Sequence, residues 1–180
     1  MGQPSEIVLR LAVEADIPAI KALMQASIET LQSDYLTPQQ VQASRAAMGL
    51  DTQLITDGTY FCVWDADTLV GCGGWSFRAT LYGGNHTKGR SARHLDPATE
   101  RARIRAMYTH PDHTRRGIAK LILSASEQAA FNAGYLTLEM AATLAGEPFY
   151  ARCGYRVESR WLDENGSVPV PLLTMVKFFT

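Results

Sequence analysis

A basic cluster stands where a predicted helix begins, in residues 114–120, which read TRRGIAK. An alternating apolar segment that predicts a strand ends at Thr109, and a segment with helical apolar spacing follows Gly117. The first amide groups of a helix have no intrahelical partner and lie at the positive end of its dipole. Because Gly117 has no side chain, a phosphate can approach these amides closely. The cluster therefore predicts a binding site for a pyrophosphate.

Two other glycine-rich segments do not fit phosphate-binding motifs as well. The segment GNHTKGRS, residues 84–91, resembles a P-loop with Arg90 in place of the lysine. A P-loop needs a long helix after it, and Pro97 would end such a helix early. The segment GCGG, residues 71–74, lacks the spacing of a dinucleotide-binding turn, because Ser76 stands where the last glycine belongs. These glycines lie inside an apparent strand and predict a bulge.

The elements around the cluster predict one mixed α/β sheet with helices on its faces. Strand patterns cover residues 7–12, 60–77 as a hairpin around DADT, 102–109, 135–141, 155–161 and 172–179. Helix patterns cover residues 14–31, a segment that starts at Thr37 and Pro38, residues 118–134 and residues 146–154. Residues 78–99 have little periodicity and predict a long loop, a feature that is often functional. With no repeats or clear boundary, residues 1–180 are expected to form a single domain.

Charge is distributed unevenly along the chain. Residues 88–120 contain nine Lys and Arg and three acidic residues, a net charge of +6, whereas the rest of the chain has eight and fifteen, a net of −7. The total of −1 argues against general attraction to nucleic acid or membranes. The basic segment shows neither a pattern of alternating basic and aromatic residues nor a known nucleic-acid-binding motif, so nucleic-acid binding is the least favoured function. The segment suggests a local anionic ligand, and the alternative is a solvated surface run, which is the more frequent origin of such a charge cluster.

The cysteines and the apolar runs bear on location and metal content. Three cysteines without CxxC spacing predict neither a disulfide framework nor a zinc site, and Cys62 and Cys72 lie in apolar runs typical of the core. No apolar run is long enough to cross a membrane, and the first residues, MGQPSE, lack a hydrophobic signal region. These features predict a cytoplasmic protein without a metal site.

The strand–cluster–helix junction resembles the GNAT N-acetyltransferases. Their signature is Q/R-x-x-G-x-G/A, to which Gly117 and Ala119 correspond, whereas Thr114 departs from it at the first position. Pro111 matches the proline that usually closes the fourth strand of the family. The segment FYARCGY, residues 149–155, resembles the family's aromatic pair and its Gly-aromatic step. The resemblance implies a mixed sheet of about seven strands flanked by four helices, with strands 4 and 5 splayed apart.

In the family, acetyl-CoA is the co-substrate and its pantetheine arm lies in the splay as an additional strand. The resemblance therefore implies that the backbone of strand 4 binds this arm and that the junction binds the pyrophosphate. The cofactor-binding residues that it implies are Met107, Tyr108, Thr109, Thr114, Arg115, Arg116, Gly117, Ile118, Ala119 and Lys120.

The resemblance also implies direct transfer, in which a neutral amine attacks the thioester and the departing thiolate takes a proton. Tyr150 aligns with the tyrosine that often gives that proton, and a phenol suits this role. The residue that deprotonates the amine is less well defined. Glu100, just before strand 4, is the first candidate, and His110, His113 and Glu139 are alternatives.

The acyl acceptor is expected between the first two helices and the loop at residues 78–99, where Tyr35, Trp75, Phe77 and Tyr82 can line a pocket. The acidity outside the basic segment favours a cationic acceptor, an amine of a small molecule or of a protein. The alternative function is a CoA-binding sensor or regulatory module without turnover, because Thr114 departs from the signature and no base is evident. Dimers are common in the family, so a homodimer is a further expectation.

Overall fold

The fold is a mixed β-sheet with helices on both faces. The computed structural model describes residues 6–179, which form seven strands in the order β1-β2-β3-β4-β5-β7-β6. The strands are β1 (Ile7–Leu11), β2 (Tyr60–Asp65), β3 (Thr68–Ser76), β4 (Ala102–Thr109), β5 (Thr137–Thr143), β6 (Arg156–Asp163) and β7 (Val170–Phe178). Neighbouring strands are antiparallel except β4 and β5, which run parallel. The predicted fold class is confirmed.

The described residues contain five α-helices rather than the four that were predicted. They are α1 (Ile17–Leu31), α2 (Pro38–Ser44), α3 (Gln53–Thr56), α4 (Ile118–Asn132) and α5 (Glu147–Arg152). The additional helix, α3, was not predicted because four residues are too few to show an apolar period. Its start is held by Asp51, whose Oδ1 accepts a hydrogen bond from the backbone N–H of Gln53 at 3.0 Å. None of the helices described is long and apolar enough to cross a membrane.

The predicted helix ends are confirmed where local signals were available. The Thr37 hydroxyl accepts a hydrogen bond from the backbone N–H of Gln40 at 3.2 Å, and the Gln40 side chain accepts one from Thr37 at 3.0 Å. Pro38 occupies the first position of α2. Helix α4 ends at Asn132, and Gly134 beyond it has φ +96. Capping residues and a terminal glycine thus fix these boundaries.

Helices α1 and α4 pack on opposite faces of the sheet. On one face α1 packs in a cluster with Cys62 and Cys72, which are both fully buried. On the other face Ile122 of α4 contacts Val63 and Val70. Burial raises the pKa of the Cys62 thiol to about 12, so this thiol is protonated at neutral pH. The interpretation of the two cysteines as core residues is confirmed.

The glycines of β3 allow α4 and β4 to approach closely. A Cβ atom at Gly71 would overlap the side chain of Ile118, and one at Gly73 would overlap Met107. The bulge predicted for this strand lies at Val70, next to Gly71, where β3 has one residue more than β2. A second register shift near the glycines, between β3 and β4, has its extra residue on β4. The first residue of α4, Ile118, is therefore held directly against Gly71 of β3.

The predicted long loop between β3 and β4 is anchored by ion pairs. Within the described residues 78–99, the irregular structure contains one isolated β-bridge, between Arg78 and His94. No helix follows the P-loop-like segment at residues 84–91 in this stretch. Arg78 donates two hydrogen bonds to Asp57, at 2.7 and 2.8 Å. Asp51 accepts from Arg90 at 2.5 Å and from Arg105 of β4 at 3.1 Å. Arg105 also donates a hydrogen bond to the backbone oxygen of Gly83 at 2.7 Å, which holds residues 81–83 beside the sheet.

Candidate functional site

The predicted gap between β4 and β5 is present. The two strands pair at Ala102 with Leu138 and at Arg103 with Glu139. Beyond these positions the described strands do not pair with each other, so the edge of β4 at residues 104–109 faces the gap. Backbone N–H and C=O groups on such an edge can bind an extended ligand as an additional strand.

A bulge bends this edge inside the gap. Between the pairs Gly74–Arg105 and Cys72–Tyr108, β4 has two residues, Ala106 and Met107, where β3 has only Gly73. Ala106 has φ +50, in the left-handed region that non-glycine residues seldom adopt. Ile104 and Met107 consequently pack on the same side of the sheet, whereas residues three apart in a regular strand face opposite sides.

A cavity of about 670 Å³ fills the gap. Its walls come from residues 104–109 of β4, residues 140–143 of β5, the start of α4, and Phe149 and Tyr150 of α5. Its far end is lined by α1, by the connection between α2 and α3, and by residues 81–83 of the long loop. The volume is in the range of small-molecule sites. One cavity therefore joins the predicted phosphate site to the predicted acceptor region.

The start of α4 has the features of a phosphate site. Gly117 is the N-cap residue, with φ +78, and no side chain caps the first turn. A Cβ atom at Gly117 would meet no protein atom within 4 Å, so the space in front of the helix is open. Arg115 and Lys120 line the cavity, and neither has an ion-pair partner among residues 6–179. Free amides and two unpaired cations thus face the same space.

Most of the other basic residues of the segment 88–120 are already paired with carboxylates. The paired residues are Arg90, Arg93, Arg101, Arg103, Arg105 and Arg116. Their charge is therefore neutralised within the protein, and the unpaired cations that this segment brings to the cavity are Arg115 and Lys120.

All predicted cofactor residues except Arg116 line the cavity. The lining residues are Met107, Tyr108, Thr109, Thr114, Arg115, Gly117, Ile118, Ala119 and Lys120. Arg116 instead lies 3.1 Å from Asp65 and contacts the imidazole of His113. The sequence could not show this, because the partner at the end of β2 lies 51 positions earlier in the chain.

Tyr150 lies in the wall of the cavity. Its side chain is 9% exposed, and its hydroxyl has no hydrogen-bond partner in the described part of the chain. The rings of Phe149 and Tyr155 contact its ring at centroid distances of 5.1 and 5.9 Å. Burial raises the pKa of the hydroxyl above the usual value of a phenol, with a smaller contribution from Tyr108. A neutral phenol with a free proton therefore borders the cavity.

The carboxylates predicted as candidate bases do not line the cavity. Glu100 accepts hydrogen bonds from Arg93 at 2.7 and 3.0 Å. The Arg93 guanidinium, with a backbone amide, lowers the pKa of Glu100 to about 2. Glu139 pairs with Arg103 and, at 3.3 Å, with Arg101. This arrangement satisfies both carboxylates within the protein and does not favour either as a base.

Of the two predicted histidines, only His113 lines the cavity. Nδ1 of His110 accepts a hydrogen bond from the backbone N–H of Asp112 at 3.1 Å, in the short 3-10 helix before α4. Within residues 6–179, no Asp or Glu side chain lines the cavity. In the same residues no group of three or more His, Cys, Asp or Glu could hold a metal ion.

Two of the four aromatic residues predicted for the acceptor pocket line the cavity, Tyr35 and Tyr82. Trp75 and Phe77 do not, since they pack together in the core at a centroid distance of 5.9 Å. The Tyr82 hydroxyl donates a hydrogen bond to Asp163 at 2.8 Å. Burial and this carboxylate raise the pKa of Tyr82 to about 12. This hydrogen bond holds the long loop against the end of β6.

Two polar residues at the cavity were not predicted, Ser27 of α1 and Gln32 in the turn after it. Their side chains are 6% and 5% exposed and line the cavity. Ser27 stands on the apolar stripe of α1, three residues after Met24 and four before Leu31. A serine on a core-facing stripe is a signal that could have identified it, whereas Gln32 has no such signal.

Comparisons with known proteins agree with this fold. The sequence model of a family described as the acetyltransferase (GNAT) family matches residues 21–155. A GCN5-related N-acetyltransferase from Rhodopseudomonas palustris has a TM-score of 0.71 at 21% identity, covering 99% of this chain and 100% of that one. PaiA N-acetyltransferase from Thermoplasma acidophilum, solved with coenzyme A, has a TM-score of 0.66 at 14% identity, covering 97% and 99%. Curated protein sequences give no significant match.

Proposed function

The chain belongs to the GNAT acetyltransferase family, and from that premise we propose that it is an N-acetyltransferase that uses acetyl-CoA and an amine. The observation that supports this most is the single cavity that connects the open edge of β4, the uncapped start of α4 and the hydroxyl of Tyr150. Bound acetyl-CoA supplies an acetyl group activated as a thioester. The structural similarity to PaiA N-acetyltransferase, which was solved with coenzyme A, supports the same co-substrate.

The residues present fit coenzyme A at two points. The unpaired edge of β4 at residues 107–109 presents backbone donors and acceptors, which suit the amide groups of a pantetheine arm. The amides that follow Gly117, with Arg115 and Lys120, suit a pyrophosphate because they combine open N–H groups with positive charge. No carboxylate among the described lining residues would repel the phosphates.

Tyr150 is proposed as the acid that gives its proton to the leaving sulfur. Its hydroxyl is free of other partners in residues 6–179, and its raised pKa keeps it protonated over the physiological range. A neutral donor next to a group that develops negative charge is the arrangement required for general acid catalysis. Burial also strengthens the hydrogen bond that it would make to the departing thiolate.

We expect the pH dependence to follow the amine rather than the enzyme. Since no described carboxylate lines the cavity, the amine must arrive neutral or lose its proton to water. The value of kcat/KM for the amine should therefore rise with pH and level off at the pKa of that amine. The raised pKa of Tyr150 should keep the rate from falling until the pH exceeds the usual phenol pKa of about 10.

Rates measured across pH with two amines of equal chain length but different basicity, propylamine and propargylamine, would check this. The midpoint of the profile should move by the difference between the two amine pKa values. An identical midpoint for both amines would show that a group of the protein titrates instead, and would contradict this prediction.

Two measurements test the proposed function itself. Isothermal titration should show saturable binding of acetyl-CoA, and a thiol assay should show release of CoA that depends on an added amine. Binding without release across a broad amine panel would favour the alternative of a CoA-binding sensor without turnover. Failure to bind acetyl-CoA would contradict both functions.

A further inference from the structure

The part of the cavity that faces the acceptor carries no charged side chain. The acceptor wall is the lining contributed by α1 and the turn after it, by the connection between α2 and α3, and by residues 81–83. It includes Ile28, Leu31, Met48 and Tyr82. Within residues 6–179, no Asp, Glu, Lys, Arg or His belongs to this wall. A second charge on the acceptor would therefore be desolvated there without an opposite charge, which is unfavourable.

Three of the four arginine and lysine side chains of the cavity lie on other elements, and the fourth, Arg105, reaches the acceptor wall at Gly83 but is already paired with Asp51. Arg115 and Lys120 are at the start of α4, and Arg152 is on α5. Arg105 of β4 is 2% exposed, and its guanidinium is engaged by Asp51 at 3.1 Å and by a loop carbonyl at 2.7 Å. The acidic residues that give the rest of the chain its negative charge do not line the cavity, because none of the described lining residues is acidic.

Two buried polar side chains on the acceptor wall lack suitable partners. The Ser27 hydroxyl has no hydrogen-bond partner in the described part of the chain, although the side chain is 6% exposed. The Gln32 amide nitrogen contacts only the sulfur of Met48 at 3.1 Å, and its amide oxygen has no described partner. Neither the Ser27 hydroxyl nor the Gln32 amide oxygen is among the fully buried atoms of the described residues that lack a partner, so both reach the cavity surface, where a polar group of a ligand can bind them.

We propose that the acceptor is a monoamine with an otherwise uncharged, mainly apolar body that carries one hydroxyl or amide group. This inference rests on the proposed function and names the acceptor class of the same site. The apolar body contacts Ile28, Leu31 and Met48, and the polar group satisfies Ser27 and Gln32. Diamines and amino acids are selected against, because the acceptor wall offers neither a carboxylate nor a cation to pair with a second charge.

A matched series of amines tests this directly in the wild-type protein. Hexylamine, 6-amino-1-hexanol, 1,6-diaminohexane and 6-aminohexanoate share one chain length and differ only at the far end. We expect kcat/KM for the first two to exceed that for the last two at least tenfold, and kcat/KM for the amino alcohol to exceed that for hexylamine. In Gln32→Met, which keeps the shape but removes the amide, the amino alcohol should lose its advantage over hexylamine.

A carboxylate placed on the acceptor wall should change the selectivity. Leu31 is partly buried and lines the cavity, so Leu31→Glu adds a negative charge there, while Leu31→Gln adds a side chain of similar size without charge. The ratio of kcat/KM for 1,6-diaminohexane to that for hexylamine should rise at least tenfold in Leu31→Glu relative to Leu31→Gln. Titration with CoA verifies that both variants are folded.

The outcomes separate this inference from the proposed function. Transfer to the amines with the diamine or the amino acid preferred overturns the inference and leaves the acetyltransferase function intact. Acetyl-CoA binding with no transfer to any member of the series overturns the inference, whereas only the absence of transfer across the broad amine panel overturns the acetyltransferase function as well. Transfer in the expected order, with the expected change in Leu31→Glu, supports both.

Discussion

Tyr150→Phe is expected to lower kcat about 100-fold, the usual contribution of a general acid. The substitution removes only the hydroxyl that borders the cavity, and the ring contacts with Phe149 and Tyr155 remain. Because the hydroxyl has no hydrogen-bond partner in residues 6–179, its loss breaks no described contact within the protein. Binding of acetyl-CoA, measured by titration, should therefore stay the same while steady-state turnover falls.

Tyr155→Phe is the matched control for this prediction. Tyr155 is also buried, but its hydroxyl donates to Glu127 at 3.0 Å and the residue does not line the cavity. Its substitution should lower the free energy of unfolding by about 1 kcal/mol, the value of a typical hydrogen bond, with kcat unchanged. If Tyr150→Phe turned over as fast as the wild type, the assignment of Tyr150 as the acid would be wrong. Equal losses of kcat in both variants would point to packing rather than proton transfer.

The junction between β4 and α4 could be predicted because its signals are local. A segment of alternating apolar and polar residues, a glycine and a segment with helical apolar spacing follow one another within residues 102–132. Each of these signals determines the backbone conformation of the residues that carry it. The open start of α4 follows from the same residues, since Gly117 and its neighbours provide no side-chain cap. The position of Tyr150 in the cavity wall came from the family resemblance rather than from such local rules.

The partners of long charged side chains could not be predicted, because they depend on contacts between distant parts of the chain. Glu100 can reach Arg93 only after the long loop has folded back, and Arg116 finds Asp65 at the end of another strand. Counting charges in residues 88–120 therefore overestimated the cations available to a ligand. Of these cations, Arg115 and Lys120 line the cavity, and neither has an ion-pair partner among the described residues.

The bulge at Ala106 is a second feature that sequence patterns could not reveal. Its left-handed backbone is unusual for alanine, and the alternation of residues 102–109 predicts a regular strand instead. The conformation is imposed by pairing with β3, where the register shifts. The shape of the β4 edge inside the cavity is thus a property of the whole sheet.

Gly117→Leu is expected to raise the Kd for acetyl-CoA by about 10- to 100-fold. A side chain at this position would project into the open space in front of α4, where a Cβ meets no protein atom within 4 Å. It would displace a pyrophosphate from the first amides of the helix, and one or two hydrogen bonds to a charged group are worth about this factor. Isothermal titration with acetyl-CoA measures the change.

Gly89→Leu separates this effect from backbone strain. Gly89 has φ +80, close to the φ of +78 at Gly117, and a Cβ atom at Gly89 would also meet no protein atom within 4 Å. Unlike Gly117, Gly89 lies in the long loop and does not line the cavity. Both substitutions place a leucine in the left-handed region and should cost about 1–2 kcal/mol of stability. Gly89→Leu should nevertheless bind acetyl-CoA like the wild type.

S-acetyl-pantetheine, which keeps the thioester arm but has no pyrophosphate, tests which part of the coenzyme the substitution affects. Gly117→Leu should use it as well as the wild type does, because the edge of β4 and Tyr150 are unchanged. An equal loss with this shorter thioester would show that the substitution disturbs the arm or the strand. Unchanged affinity for acetyl-CoA would mean that the phosphates bind away from the start of α4. Only a loss confined to the full coenzyme agrees with a pyrophosphate held by the amides that follow Gly117.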